Sequence, residues 1–153
     1  MVRSAHDEAR RRGDRRVGTE HLMLGLLGAS ELGMDRLLGV DLDRARGALQ
    51  GLDRAALAAI GIQVGGLPPP VPTPEPPIAP LVGGRMPMAL TSGAGAVLNQ
   101  AMRGSNRGER AEGPGQLLLA LLACPRPDPV AGLIETLEID VDAVRARLEG
   151  GAG

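Results

Sequence analysis

The sequence predicts an all-α fold built as two pseudo-repeats of a four-helix unit joined by a Pro-rich linker. Three observations lead there. The first is an internal repeat: Gly18-Thr-Glu-His-Leu-Met-Leu-Gly-Leu-Leu27 aligns with Gly113-Pro-Gly-Gln-Leu-Leu-Leu-Ala-Leu-Leu122 at an offset of 95 residues. Val40-Asp-Leu-Asp43 aligns with Ile139-Asp-Val-Asp142 at an offset of 99, and Val2 and Ala5 align with Leu98 and Ala101. Self-similarity of this kind points to one duplicated supersecondary unit. The second is periodicity. Apolar residues recur at helical spacing in both halves, and no credible strand alternation stands beside them. The third is Gly65–Pro87, which holds nine of the thirteen prolines and cannot sustain a helix without amide donors. That stretch reads as an extended linker, with a ligand for an SH3-type partner as the other reading. The expected division is a first repeat at 1–64, the linker at 65–87, a second repeat at 88–149 and a fraying tail at 150–153.

In the first unit, Val2, Ala5 and Ala9 mark a thin apolar face on a helix that ends before Gly13. Thr19 is placed to cap a second helix, with Glu20 in the first turn favoured by the helix dipole. That helix runs to about Leu27 and is apolar nearly all round, so it should be buried. Ser30 is placed to cap a third helix carrying Met34, Leu37 and Leu38, and Gly39 suits its left-handed C′ position. Asp41 caps a fourth, with Leu42, Ala45, Leu49 and Leu52 on one face, and Asp53–Ile60 reads as a further short helix.

The second unit follows less cleanly. Thr91 caps a helix carrying Val97, Leu98, Ala101 and Met102, although Gly93 and Gly95 each weaken it by about 1 kcal/mol relative to Ala. Arg103–Gly115 reads as a polar loop and Gln116–Ala123 as the buried helix, after which Pro125, Pro127 and Pro129 break the chain. Leu133, Ile134 and Leu137 belong to a third helix. Asp140 caps a fourth, with Ile139 and Val144 spaced for a hydrophobic staple.

Composition excludes several functions. There is no Phe, Tyr or Trp and no lysine, and the formal net charge is −1. Base stacking and a basic excess are both missing, so nucleic acid is not an expected partner. Cys124 is the single cysteine and His6 and His21 the only histidines, so neither an internal disulfide nor a Cys-rich metal site is expected. No cofactor is expected. The apolar runs fall short of the roughly 20 residues a membrane helix needs, and Met1–Arg16 lacks the apolar core of a secretory signal. The expectation is a cytoplasmic, non-enzymatic protein with no membrane partner.

Gly-Thr-Glu-His-Leu-x-Leu-Gly-Leu-Leu at the start of a second helix resembles the N-terminal domain of the Clp AAA+ unfoldases. So do Leu38–Asp43, Leu90–Thr91 and the duplicated four-helix unit. The resemblance covers nearly the whole chain outside the linker and tail. It implies a helical double Clp N repeat that docks substrates, degrons or adaptor proteins for a Clp unfoldase, here as a stand-alone protein without ATPase modules. With no Gly-x-x-x-x-Gly-Lys-[Ser/Thr] there is no P-loop to hydrolyse ATP. The Arg, Ala, Gly and Pro bias suits a GC-rich bacterial genome.

Some members of the family bind phosphoarginine, with the Glu of Gly-Thr-Glu-His on the guanidinium. By position that residue is Glu20, and helix N-terminal amides would hold the phosphate. The matching positions in the second unit are Pro114 and Gly115. The family's Phe-Thr turn before the first helix has a counterpart only at Leu90–Thr91, so each unit keeps about half of a family site. The candidate ligand residues are therefore Glu20, Thr19, His21 and Thr91, and the implied partners include phosphoarginine-bearing proteins.

Each of these residues also has a structural reading. Glu20 can be a helix-start carboxylate, Thr19 an N-cap and His21 a buried hydrogen-bonding group. Glu20 and His21 are no catalytic dyad, because adjacent helical residues point about 100° apart. Arg10–Arg16 reads as a solvated helix end or, alternatively, a docking patch for acidic partners or phosphate, with nucleic-acid binding through the cluster as a weaker third reading. Met23 and Met34 read as core filler, and Met86 and Met88 as possible lining of an adaptable groove. Cys124 reads as an inert small apolar residue. The other reading of the whole chain is a degenerate structural paralogue that pairs with another Clp N-domain and has no ligand site.

Overall fold

The computed structural model describes residues 2–62, 89–106 and 113–150. They form α1 (Val2–Arg12), β1 (Arg16–Val17), α2 (Thr19–Leu27), a 3-10 turn (Ser30–Leu32), α3 (Met34–Leu38) and α4 (Leu42–Ala59). There follow β2 (Ala89–Leu90), α5 (Ser92–Asn106), α6 (Gly113–Leu122), α7 (Pro129–Thr136) and α8 (Val141–Gly150). The structure is mostly helical. The Pro-rich segment, Met86, Met88 and the last three residues of the tail lie outside the described residues.

The core has to be built without Phe, Tyr or Trp, and the sequence does this by burying most of two Leu-rich helices. In α2, Thr19 and every residue from His21 to Leu27 are buried, and in α6 so are Gly115 to Leu118 and Ala120 to Leu122. Fully burying one Leu is worth roughly 1.5–3 kcal/mol. The other helices contribute one face each. On α1 that face is Ala5 and Ala9, whose small side chains let the helix axis come close to α2. On α5 it is Ala94, Val97 and Ala101, and on α7 Val130, Leu133 and Ile134. The α2 helix touches α1, α3, α4, α5, α6 and α7, which makes it the hub of the packing.

The same turn recurs between the third and fourth helices of each half. Gly39 sits at φ 67° after α3 and Glu138 at φ 54° after α7. The next amides close on matching carbonyls, Val40 N–H on Asp35 at 3.1 Å and Ile139 N–H on Ile134 at 3.1 Å. Asp41 and Asp140 then cap α4 and α8, accepting from the amides of Arg44 at 2.7 Å and Ala143 at 2.9 Å. Arg147 crosses to the last turn of α3 and donates to the Leu37 carbonyl at 3.1 Å.

Several boundaries differ from the sequence expectations. Gly18, not Thr19, is the N-cap of α2. Ser30 opens a 3-10 turn, while α3 starts after Gly33 without a side-chain cap. Asp53–Ile60 is no separate helix but the continuation of α4. The apolar stripe Ala45, Leu49, Leu52 runs through, and Arg12 holds Asp53 at 2.7 Å in mid-helix. The loop expected from Arg103 begins later, because buried Ala101 and Gly104 carry α5 to Asn106. Pro114 belongs to the first turn of α6 and Pro129 opens α7, positions where a missing amide donor costs nothing. The strands β1 and β2, two residues each, pair in parallel with Arg16 opposite Ala89 and Val17 opposite Leu90. No alternation pattern announces a run that short.

Glu8 is buried in α1 and receives Arg46 of α4 on both oxygens, with Nε at 3.0 Å from Oε2. Replacing Glu8 by Ala strands the guanidinium, which keeps only Asp43 at 2.9 Å. Far-UV circular dichroism of urea unfolding is expected to show a loss of about 1–3 kcal/mol. Glu138→Gly relieves a left-handed backbone that an L side chain disfavours, and the same measurement is expected to show a gain of about 1 kcal/mol.

Candidate functional site at the β1–β2 junction

Pairing of β1 with β2 brings the start of α2 beside the start of α5. The Thr91 amide donates to the Val17 carbonyl at 2.9 Å, directly extending the strand pair. Thr91 then caps α5 as expected, its hydroxyl accepting from the Ala94 amide at 3.2 Å. Thr91 of one half and Gly18-Thr19-Glu20 of the other thus lie side by side, although neither half holds both.

Burying α2 leaves its first amides needing partners. His21, 1% exposed, answers from within the helix: its Nδ1 accepts from the Gly18 amide at 3.0 Å. That bond fixes the tautomer, so Nε2–H donates to Asp14 at 3.0 Å. With its lone pair engaged, Nδ1 makes only a contact with Glu20 Oε1 at 3.3 Å. His21 is therefore a structural strut between α2 and the turn after α1.

Thr19 occupies the first position of α2 and its hydroxyl donates to Asp128, the N-cap of α7. Asp128 also accepts from the Val130 amide at 3.1 Å. Its other oxygen lies against Gly93 in the first turn of α5, where an added Cβ would meet it at 3.2 Å. The starts of α2, α5 and α7 therefore converge on the Asp128 carboxylate, an arrangement favoured by the positive ends of the helices. Asp128 was not among the residues expected at the site. The Asp-Pro pair that opens α7 signals a helix start, but nothing in it signals Thr19.

Glu20 folds back over Gly18, whose lack of a side chain makes room for the carboxylate. Its side chain is 16% exposed. Among the described residues no Arg lies within ion-pair distance of Glu20 or Asp128. Asp14, by contrast, is shared between His21 and Arg12. The junction thus offers two carboxylates without a cation, a cap threonine and an imidazole whose two nitrogens are already in use.

Elsewhere, Arg12 of the Arg10–Arg16 cluster is committed to Asp14 and Asp53, which ties the end of α1 to α4. Arg10, Arg11, Arg15 and Arg16 are exposed. Among the described residues no His, Cys, Asp or Glu group has a metal-holding arrangement, and no helix is long and apolar enough to cross a membrane. Cys124 is half-buried and its thiol faces the Ala120 carbonyl at 3.5 Å. Burial, with the charge of Asp128 adding to it, pushes the thiol pKa up. Iodoacetamide is expected to alkylate Cys124 more slowly than free cysteine at pH 8, as followed by intact mass, because less thiolate is present.

No family model, curated protein or solved structure matches this chain.

Proposed function

We propose that the protein is a non-catalytic recognition module of the Clp N type. It docks substrates, degrons or adaptors of a bacterial, cytoplasmic Clp unfoldase system at the junction of Glu20, Thr19, His21 and Thr91. The observation that carries the reading is the pairing of β1 with β2. It joins the Thr91 turn to the Gly18-Thr19-Glu20 segment, so the two partial sites complement each other. Glu20 is the contact residue, because its carboxylate is partly exposed and lacks a cation among the described residues. A guanidinium fork suits it. Thr19 and Thr91 shape the junction and His21 holds its floor.

Asp128 narrows the ligand. The position where helix starts would favour a phosphate already carries its carboxylate, so a phosphoarginine would bring a second anion against it. An unmodified arginine side chain in an extended segment fits the charges better, and phosphoarginine-bearing proteins become the comparison.

A second reading, pairing with another Clp N-domain in a purely structural role, is favoured by exposed Ile60 and Ile62, 72% and 48% accessible at the end of α4. Sedimentation of the protein alone and with a Clp N-domain distinguishes it.

Titration with a fluorescent arginine peptide and its phosphoarginine counterpart tests the first reading. The arginine peptide is expected to bind more tightly. Glu20→Ala is expected to weaken binding at least about tenfold, or 1.4 kcal/mol. Gly18→Ala, which displaces the Glu20 carboxylate, should act in the same direction with helicity retained. Equal binding to the Glu20→Ala protein would sink the assignment.

A further inference from the structure

A cavity of about 750 Å³ opens between α5, α6 and α8 and shares no residue with the β1–β2 junction. Its volume lies in the range of small-ligand sites. Arg103 and Arg145 reach it from α5 and α8, Gln116 from α6, and Leu119 and Ala120 form an apolar wall.

The other half shows what this position can hold. Extending the sequence alignment places Arg46 opposite Arg145, at the offset of 99 that relates Asp41 to Asp140. The offset of 96 that relates Ala5 to Ala101 places Glu8 opposite Gly104. In the first half the buried Glu8 carboxylate takes the Arg46 guanidinium on both of its oxygens. In the second half the carboxylate is missing, because Gly104 has no side chain and itself lines the cavity. Arg145 is left half-buried on the wall. Among the described residues, neither Arg145 nor Arg103 has a carboxylate within ion-pair distance.

We infer that the cavity is a binding site for a carboxylate ligand, whose carboxylate engages Arg145 as Glu8 engages Arg46. Charge selects the class. Two guanidinium groups against the single carboxylate of Glu149 leave one positive charge on the wall, which balances a carboxylate and not a doubly charged phosphate. Asn99, Gln100 and Gln116 supply amide donors and acceptors beside the charge, and Leu119 and Ala120 take apolar atoms. The rest of the ligand is therefore polar and apolar in turn, as in an acidic residue within a peptide. The inference does not depend on the Clp reading or on Glu20.

The test uses the full chain and exploits its lack of aromatic residues. A capped Trp-labelled peptide with one central Glu is titrated by tryptophan fluorescence. The same peptide with Gln is the control, and free glutarate is added as a competitor. The Glu peptide is expected to bind at least about tenfold more tightly than the Gln peptide. Arg145→Gln is expected to remove that difference. Gly104→Glu, which supplies the internal carboxylate, is expected to abolish binding while preserving helicity by circular dichroism. Displacement by glutarate at concentrations like those of the peptide would assign the site to small carboxylates. Displacement only by acidic peptides would assign it to protein segments. Equal affinity for the Glu and Gln peptides overturns the inference. So does binding that survives both Arg145→Gln and Gly104→Glu, or the lack of any binding at about 1 mM by the peptide in fluorescence and by glutarate in titration calorimetry.

Discussion

The structure depends on a helix buried at every position but Glu20. Lacking Phe, Tyr and Trp, the core can reach adequate density only by bringing Leu-rich helices into contact on most sides, and α2 is the helix so enclosed. Ala5 and Ala9 let α1 close on one flank, while α4, α6 and α7 close on others. A buried helix start must then find acceptors for its free amides inside the protein. The imidazole of His21 on Gly18 supplies one, and the Asp14 turn holds that ring in place.

The candidate site follows from this constraint. Because α2 begins in the interior, the segment leading into it is held in extended form and pairs with the segment leading into α5. Helix starts therefore gather at one place, and Asp128 neutralises their partial positive charge. Glu20 is left over, since its carboxylate is placed by Gly18 and has no structural cation among the described residues. A junction arranged in this way presents two carboxylates that have no cation of their own among the described residues.

The two halves show the same turn before their last helix and differ in their interior polar groups. The turns around Gly39 and Glu138 agree in dihedral and in hydrogen bonding. The interior polar groups do not agree. His21 and Glu20 face Gln116 and Gly115 across the alignment, and the Glu8–Arg46 pair faces Gly104 and Arg145. One half pairs its half-buried guanidinium with the buried Glu8 carboxylate, whereas the other leaves a cavity beside it.

The sequence by itself determined the helical class, the order of the helices and most of the apolar faces. These follow from local spacing, and a chain with apolar residues every three to four positions can bury them only as helices. It also marked the caps at Asp41, Thr91 and Asp140, where a side chain answers an amide three residues on. Tertiary structure decided what depends on contacts between distant residues. The strands β1 and β2 exist because two segments meet, and neither carries a pattern of its own. Asp53 sits in mid-helix because Arg12 reaches it from α1. Thr19 is no cap because the helix begins one residue earlier, with Gly18 at the N-cap, and the Thr19 hydroxyl donates instead to Asp128, 109 residues away. Glu20, Thr19, His21 and Thr91 were legible as chemistry, but their meeting point was not. Hydrogen bonds between separate helices are set by packing, which no local spacing encodes.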